Sequence, residues 1–192
     1  RSLVQPFNIG SLYLYTDNIK KSTKISDFDA KKIHLSLREN LYKSWAATLA
    51  SEIVLKTKCA GDSKSAFILL SALLDGIDAV SEEEARLGML RFLWRYLGLL
   101  GIQPDVRECI SCGTSLLAKE HHVYFMENQN GFACADCFSY SAERLQNESA
   151  MFSLDIHGLT YLAAINELTP GKVRELILPA ESAYKLKRFL YH

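Results

Sequence analysis

Hydrophobic and polar residues alternate in the first part of the chain, and further on the hydrophobic spacing becomes helical. Residues 3–16 predict two strands, in which Leu12 and Leu14 face one side and Tyr13 and Tyr15 face the other. Two strands alone cannot bury a useful core. We therefore expect them to complete a larger sheet or to pack against the rest of the chain.

From about Ile25 the pattern predicts helices. Asp27 can cap a short helix, and a long helix is predicted over about 35–58. Apolar residues near every fourth position are expected to face inward in the long helix: Leu37, Leu41, Trp45, Leu49 and Ile53. After a break, Asp62 or Ser63 caps a third helix with its own inward-facing set: Phe67, Leu70, Leu73, Leu74 and Ile77.

The next helix has a strong start, because Ser81 precedes three glutamates that suit the positive end of a helix dipole. Apolar residues cover most of its circumference through Leu100, which predicts the central helix of a bundle. The remaining predicted elements are a short helix within 139–150, a helix over 153–168, a turn at 169–171 and a last helix from Pro179. The fold class is therefore mainly α.

Four cysteines form two C-x2-C pairs separated by twenty-one residues: Cys109, Cys112, Cys134 and Cys137. Two such pairs supply the four thiolates of a closed tetrahedral zinc site. Gly113 permits the tight turn after the first pair. Between the pairs, a strand over 121–126, a turn over 127–131 and a return strand over 131–133 would deliver the second pair. We expect a structural zinc module at about 105–140, because four protein ligands leave no open coordination position.

Other uses of the cysteines and neighbouring histidines stay open at this point. Disulfides are disfavoured because we see no signal peptide in the sequence, and cysteines in a reducing compartment are expected to stay as thiols or bind metal. His121 or His122 could replace one sulfur as a ligand, and an open position would turn the site into that of a zinc-dependent hydrolase. No nucleophile, phosphate loop or carboxylate pair supports catalysis, so we expect that the protein is not an enzyme. Cys59, the fifth cysteine, is interpreted as an ordinary residue at a helix end.

The formal net charge of the 192 residues is zero, but the charge is unevenly distributed. Residues 1–58 carry ten Lys and Arg against five Asp and Glu, whereas residues 59–192 carry twelve against seventeen. Arg91 and Arg95 share a helix face and could contact an anion or an acidic peptide, or could instead pair with neighbouring acids such as Glu84. No apolar run is long enough to span a membrane, so a cytoplasmic protein is expected.

The order of these parts resembles the bacterial recombination mediator family RecO. The resemblance lies in five segments: 5–7 before a strand, 37–41 in a long helix, 97–105 running into 109–113, Phe125 with Gly131, and 134–137. It implies a remnant of an N-terminal OB-fold barrel at 1–24, and a helical domain at 25–192 that contains the zinc module. RecO-like proteins bind single- and double-stranded DNA, anneal complementary strands and act with RecR to load RecA onto DNA coated by single-stranded-DNA-binding protein.

The resemblance also suggests which residues contact DNA and which contact a protein partner. Lysines beside the barrel would contact DNA phosphates: Lys20, Lys21, Lys24, Lys31 and Lys32. Arg91 and Arg95 would contact the acidic C-terminal tail of the single-stranded-DNA-binding protein. Most of the barrel would precede Arg1, so the chain by itself is expected to bind DNA poorly. The alternative is a zinc-stapled helical protein-interaction module without a nucleic-acid role.

Overall fold

The computed structural model describes residues 5–118, 122–145 and 152–192, with the backbone alone for 141–145. The predicted strand residues 3 and 4, His121 and the predicted helical residues 146–150 lie outside these ranges. The described chain divides into two compact units, Arg1–Met89 and Leu90–His192.

The first unit begins with an antiparallel hairpin of two long strands, β1 (Ile9–Asp17) and β2 (Ser22–Lys32). The short helix predicted from Ile25 is therefore wrong, and the helical part of the chain begins later. Asp27 lies within β2 and pairs with Tyr13 instead of capping a helix. The error has a local cause, because the alternating residues that follow Asp27 suit a strand and an aspartate alone does not distinguish a cap from a strand position.

The two faces of the hairpin differ in character. The pairing of Leu14 with Ile25 and of Leu12 with Phe28 gives one apolar face. Leu12, Leu14 and Ile25 are 49%, 56% and 59% exposed, so this face is not covered in the described chain. A two-stranded hairpin is marginal by itself in water. Of the two strands predicted within residues 3–16, the second corresponds to β1, whereas Pro6 and Phe7 lie in a turn and the partner strand is β2. That the hairpin completes a larger sheet stays a prediction.

A buried histidine ties the hairpin to the helices of the first unit. His34 Nδ1 lies 2.6 Å from the Phe7 carbonyl oxygen, and His34 Nε2 lies 2.9 Å from Asp75 Oδ1. Both partners are acceptors, so the ring makes both hydrogen bonds only when each nitrogen carries a proton. Partial burial raises the pKa of the Asp75 carboxyl, but hydrogen bonds from Lys32 and His34 outweigh that effect and lower it below its usual range.

The long helix predicted over 35–58 is two helices, α1 (Ser36–Glu39) and α2 (Leu41–Lys56). Asn40 separates them and caps α2 by accepting a hydrogen bond from the Lys43 amide. The predicted inward stripe of α2 is wrong at Leu41 and Trp45, which are 88% and 45% exposed. The buried face consists mainly of small residues: Ala46, Ala47, Ala50 and Val54.

Helix α3 (Ser63–Asp78) starts as predicted, with the Asp62 side chain accepting from the amides of Lys64 and Ser65. Phe67, expected inside, is 58% exposed, whereas Leu73, Leu74 and Ile77 are buried. The loop before α3 is unusual because four consecutive residues have positive φ: Lys58, Cys59, Ala60 and Gly61. Cys59 therefore lies in a left-handed turn, a conformation that costs non-glycine residues roughly 1–2 kcal/mol each.

Helix α4 (Glu82–Leu99) is capped by Ser81, whose hydroxyl accepts from the Glu84 amide at 3.3 Å. Residues 89–94 are all buried, and Trp94 is fully inaccessible. This burial on every side confirms that α4 is a core helix, as its apolar circumference predicts.

The second unit adds a three-stranded antiparallel sheet in the order β4-β3-β5. Its strands are β3 (Val123–Met126), β4 (Gly131–Cys134) and β5 (Ser153–Leu154). The predicted strand, turn and return strand between the cysteine pairs are confirmed. Residues 153 and 154 form a strand and not the start of a helix, because β5 pairs with β3.

After β4, the described residues form four further helices of the second unit: α5 (Ala135–Leu145), α6 (Ile156–Glu167), α7 (Pro170–Arg174) and α8 (Ala180–Leu190). Helix α5 begins earlier than the predicted 139, and the predicted turn at 169–171 is instead the start of α7. Asp155 caps α6 through the Gly158 amide and forms an ion pair with Lys185 of α8 at 3.3 Å. In the described ranges, no helix combines the length and apolar character needed to cross a membrane.

Candidate metal centre and basic hairpin

The first cysteine pair lies in a tight turn held by backbone hydrogen bonds. The Gly113 amide donates to the Cys109 carbonyl at 2.8 Å, and the Cys109 amide donates to the Thr114 carbonyl at 2.9 Å. Gly113 has a φ of 70°, which a glycine adopts without the steric cost of a side chain. This turn directs Cys109 and Cys112 to one point, as the C-x2-C spacing predicts.

The second pair bridges a strand and a helix, since Cys134 ends β4 and Cys137 lies in the first turn of α5. The Ile110 amide donates to the Phe132 carbonyl at 2.9 Å, which joins the first turn to β4. A Cβ at Gly131 would lie 2.3 Å from Ile110 Cδ1 and 3.1 Å from Ile110 Cβ, so a side chain there would displace the Ile110 side chain. The two cysteine pairs are therefore brought together by contacts between the Cys109 turn and β4.

The four cysteine sulfurs form a compact cluster, with all Sγ atoms within 4.8 Å of one another. Zn–S bonds of about 2.3 Å place two sulfurs of a regular tetrahedron about 3.8 Å apart. The measured separation between Cys112 Sγ and Cys134 Sγ is 3.9 Å. Disulfide sulfurs would lie about 2.05 Å apart. The cysteines are free thiols, and their arrangement fits a tetrahedral metal ion.

Hydrogen bonds shift the pKa values of two thiols in this cluster in opposite directions. The hydroxyl and backbone of Thr114, with smaller effects of the Cys109 and Cys137 thiols, lower the pKa of Cys112 to about 6. The hydrogen bond with Cys112 raises the pKa of Cys137 well above its ordinary value, and desolvation raises it further. A bound divalent cation would displace the protons of all four thiols. Thr114 is a residue that motif reasoning missed, although a hydroxyl directly after the turn glycine could have indicated it.

Histidine does not join this sulfur cluster in the described residues. His122 is exposed, and the group of potential ligands found there consists of the four cysteines alone. His121 lies outside the described residues, so its predicted role as an alternative ligand stays a prediction. The Cys134 amide donates to Cys109 Sγ at 3.3 Å, an interaction that supports a sulfur in its anionic, metal-binding form.

The five lysines predicted to contact DNA fall into two groups. Lys20 and Lys21 lie in the turn between the long strands, and Lys24 lies early in β2; all three are exposed. Lys31 forms an ion pair with Asp29, and Lys32 forms one with Asp75 at 2.5 Å. The hairpin thus brings three lysines together at its turn and holds the other two in ion pairs at the opposite end of β2.

The two arginines of α4 are held inside the second unit. Arg91 is 5% exposed, and its Nη1 donates to the Tyr161 hydroxyl at 2.9 Å. Arg95 is half-buried and donates to the Ile165 carbonyl at 3.2 Å. Burial, reinforced by the charge of Arg91, lowers the pKa of Arg95. Tyr161 and Ile165 both lie on α6, so the two arginines join α4 to α6.

Comparison with known proteins identifies the family to which this arrangement belongs. A family model described as "Recombination protein O C terminal" matches residues 38–192. The chain belongs to the RecO family. The segment that matches the RecO model contains the four-cysteine cluster and both arginines of α4, whereas the whole β1–β2 hairpin precedes it.

Two proteins named DNA repair protein RecO are similar to the chain. The protein from Desulforamulus reducens is 25% identical over 146 residues, which cover 76% of this chain and 55% of the relative. The protein from Bacillus pumilus is 25% identical over 148 residues, which cover 75% of this chain and 54% of the relative. The chain therefore spans about half the length of the curated RecO relatives that it matches.

Proposed function

We propose that the protein carrying this chain is a cytoplasmic, non-enzymatic mediator of DNA repair and recombination. In this role it binds and anneals single-stranded DNA and, with RecR, helps to load RecA onto DNA coated by single-stranded-DNA-binding protein. The observation that carries the proposal is the family match over residues 38–192. The two relatives support it, because both are named as DNA repair proteins.

The hairpin supplies the DNA-binding part of this proposal. Its uncovered apolar face and its two-stranded form suit the last strands of an OB-fold barrel, whose remaining strands would cover that face. Lys20, Lys21 and Lys24 are exposed at the turn and can neutralise phosphates. Lys31 and Lys32 are the weaker candidates, because their ammonium groups already pair with carboxylates.

In this proposal the cysteine cluster is a structural zinc site. Four sulfurs at tetrahedral spacing favour Zn²⁺, and with four protein ligands the ion has no open position for a substrate. The ion joins the turn around Cys109 to β4 and α5, and thereby fixes the hairpin between the cysteine pairs within the second unit. Its role in this proposal is to hold the fold rather than to react.

The arginines of α4 supply a proposed contact with the tail of the single-stranded-DNA-binding protein. Arg95 is the stronger candidate because it is only half-buried. Arg91 is nearly inaccessible and bonded to Tyr161, which favours a role in positioning α4 against α6. An acidic peptide would therefore contact Arg95 and approach Arg91 only after local rearrangement.

Binding of the intact, zinc-loaded protein to a fluorescent single-stranded oligonucleotide tests the proposal. We expect binding at low salt and a progressive loss of affinity as the salt concentration rises, because released counterions contribute to binding. The zinc-stapled interaction module without a nucleic-acid role predicts no DNA binding under any of these conditions, together with retained binding of an acidic peptide. That pair of results would refute the mediator function.

A further inference from the structure

The polar face of the β1–β2 hairpin carries two exposed aromatic rings. Tyr13 and Tyr15 lie two residues apart on β1, so they point to the same side, away from the apolar face formed by Leu12 and Leu14. The two tyrosines are 53% and 63% exposed. Among the described residues, neither ring contacts another ring and neither hydroxyl is hydrogen-bonded. We call this surface the tyrosine face, comprising Tyr13, Tyr15 and their cross-strand partners Asp27 and Lys24.

The spacing of the two rings suits successive bases of an unpaired strand. Residues two apart on a β-strand are separated by about 6.8 Å, which is twice the rise per residue. Stacked bases in a duplex are about 3.4 Å apart, so a strand whose bases are spread to twice that distance can place one base on each ring. Stacking on an aromatic side chain accepts any base, because every base has a π face.

Positive charge lies at one end of this tyrosine face. Lys24 pairs with Tyr15 across the hairpin, and Lys20 and Lys21 follow in the adjoining turn. In the described part of the chain, none of these three ammonium groups forms an ion pair. They are therefore available for phosphates beside a base stacked on Tyr15.

The carboxylates near the tyrosine face make the charge at its Tyr13 end different from the charge at its Tyr15 end. Asp27 lies opposite Tyr13 and would repel a phosphate there. Asp29 is paired with Lys31, and Asp17 accepts the backbone amides of Ile19 and Lys20. The Tyr15 end thus favours backbone phosphates, whereas the Tyr13 end favours an uncharged base.

We propose that Tyr13 and Tyr15 form a stacking platform for two bases of single-stranded DNA, with phosphates held by Lys20, Lys21 and Lys24. This inference rests on the proposed DNA-binding function and assigns it to a particular surface. A duplex cannot use the platform, because its bases are stacked on one another. An acidic peptide would satisfy the lysines but would leave the two aromatic rings without partners.

The test compares aromatic and non-aromatic side chains in the full-length, zinc-loaded protein. Tyr13→Thr and Tyr15→Thr keep a β-forming residue but remove the ring, and each is expected to weaken binding of oligothymidylate about 10-fold. The double variant Tyr13→Phe/Tyr15→Phe keeps both rings and should bind as the wild type does. Tyr184→Thr is the matched control, because Tyr184 is 61% exposed but lies on α8 in the other unit.

Duplex binding and cross-linking provide two readouts that a general structural defect would not reproduce. Loss of the rings should leave the affinity for duplex DNA unchanged while single-stranded affinity falls. Ultraviolet cross-linking to a bromouridine-containing oligonucleotide should label Tyr13 or Tyr15, as identified by mass spectrometry. Asp27→Asn should strengthen single-stranded binding several-fold, because it removes a charge that repels phosphate.

The outcomes separate the platform from the broader function. If the wild-type protein binds no single-stranded DNA at low salt, both the function and the platform are wrong. If it binds, but the threonine variants bind equally well, the platform is wrong and the function stands. Equal losses for single-stranded and duplex DNA, or a loss in the phenylalanine variant as large as in the threonine variants, would also overturn stacking, since each would show that the rings act only through the fold.

Discussion

Removal of the metal from the four-cysteine cluster should unfold the hairpin between the cysteine pairs. Apparent binding energies of structural zinc sites are about 10–16 kcal/mol near neutral pH. The total stability of a domain is about 5–15 kcal/mol. The strands that carry this module are only four residues long, so they have few hydrogen bonds to replace the metal. The binding free energy lost with the metal is therefore as large as the folding free energy of a whole domain.

Cys109→Ser makes the same perturbation genetically. Cys109 is 2% exposed, and its Sγ accepts the Cys134 amide at 3.3 Å, so a serine there removes one ligand from the interior of the cluster. Cys59→Ser is the matched control, because Cys59 lies in the left-handed turn of the first unit and outside the cluster. It should leave the metal content unchanged.

Three measurements check this prediction. Elemental analysis should give one zinc ion per chain for the wild type and for Cys59→Ser, and X-ray absorption should show four sulfurs at about 2.3 Å. After chelation, amide hydrogen exchange should accelerate over 106–137, while the buried face of α2 stays protected. The reasoning would be refuted if the metal-free chain kept its exchange protection over 106–137, or if Cys109→Ser bound zinc as tightly as the wild type.

Three further predictions concern residues outside the cluster. His34→Leu removes hydrogen bonds to a carbonyl and to a carboxylate and should cost about 2–4 kcal/mol in urea unfolding, with faster exchange in β1; an unchanged midpoint would contradict the role of His34 in joining the hairpin to the helices. Burial raises the pKa of Asp155, but the hydrogen bonds and ion pair of its carboxylate outweigh burial and lower that pKa. The ionised carboxylate therefore stabilises the folded state above the unfolded pKa of about 4, and this stabilisation is lost as the pH falls through the folded pKa. Asp155→Asn should therefore be less stable than the wild type at neutral pH and approach it in acid, as thermal melts across pH can show. Arg91→Met should change the melting temperature, whereas Arg95→Gln should chiefly weaken binding of an acidic peptide; the reverse pattern would contradict the roles assigned here.

The elements that sequence reasoning predicted well are those set by local chemistry. The cysteine pairs carry their own spacing and their own turn glycine, so the cluster follows from a short stretch. Asp62 and Ser81 are helix caps in the structure because each accepts amide hydrogen bonds from the first turn that follows it. The apolar circumference of α4 likewise predicts burial from that helix alone.

The errors lie where two patterns compete within the same residues. Helix α2 has a large apolar stripe through Leu41 and Trp45 and a small-residue stripe through Ala46 and Ala50, and both recur at helical spacing. The structure buries the small residues, a choice that depends on how closely neighbouring elements approach and not on hydrophobicity. Asp27 shows the same ambiguity between a helix cap and a strand position. The two hydrogen bonds of His34 were also not predicted, because its partners Phe7 and Asp75 are distant in sequence.

The mediator function is tested most directly by the rate at which the intact protein anneals complementary DNA strands coated with single-stranded-DNA-binding protein. We expect acceleration over the uncatalysed rate, with loss of the acceleration at high salt as phosphate contacts are screened. We also expect Tyr13→Thr/Tyr15→Thr to slow annealing while Tyr184→Thr does not. An intact, zinc-loaded protein that neither binds nor anneals single-stranded DNA at low salt would contradict the proposed mediator function.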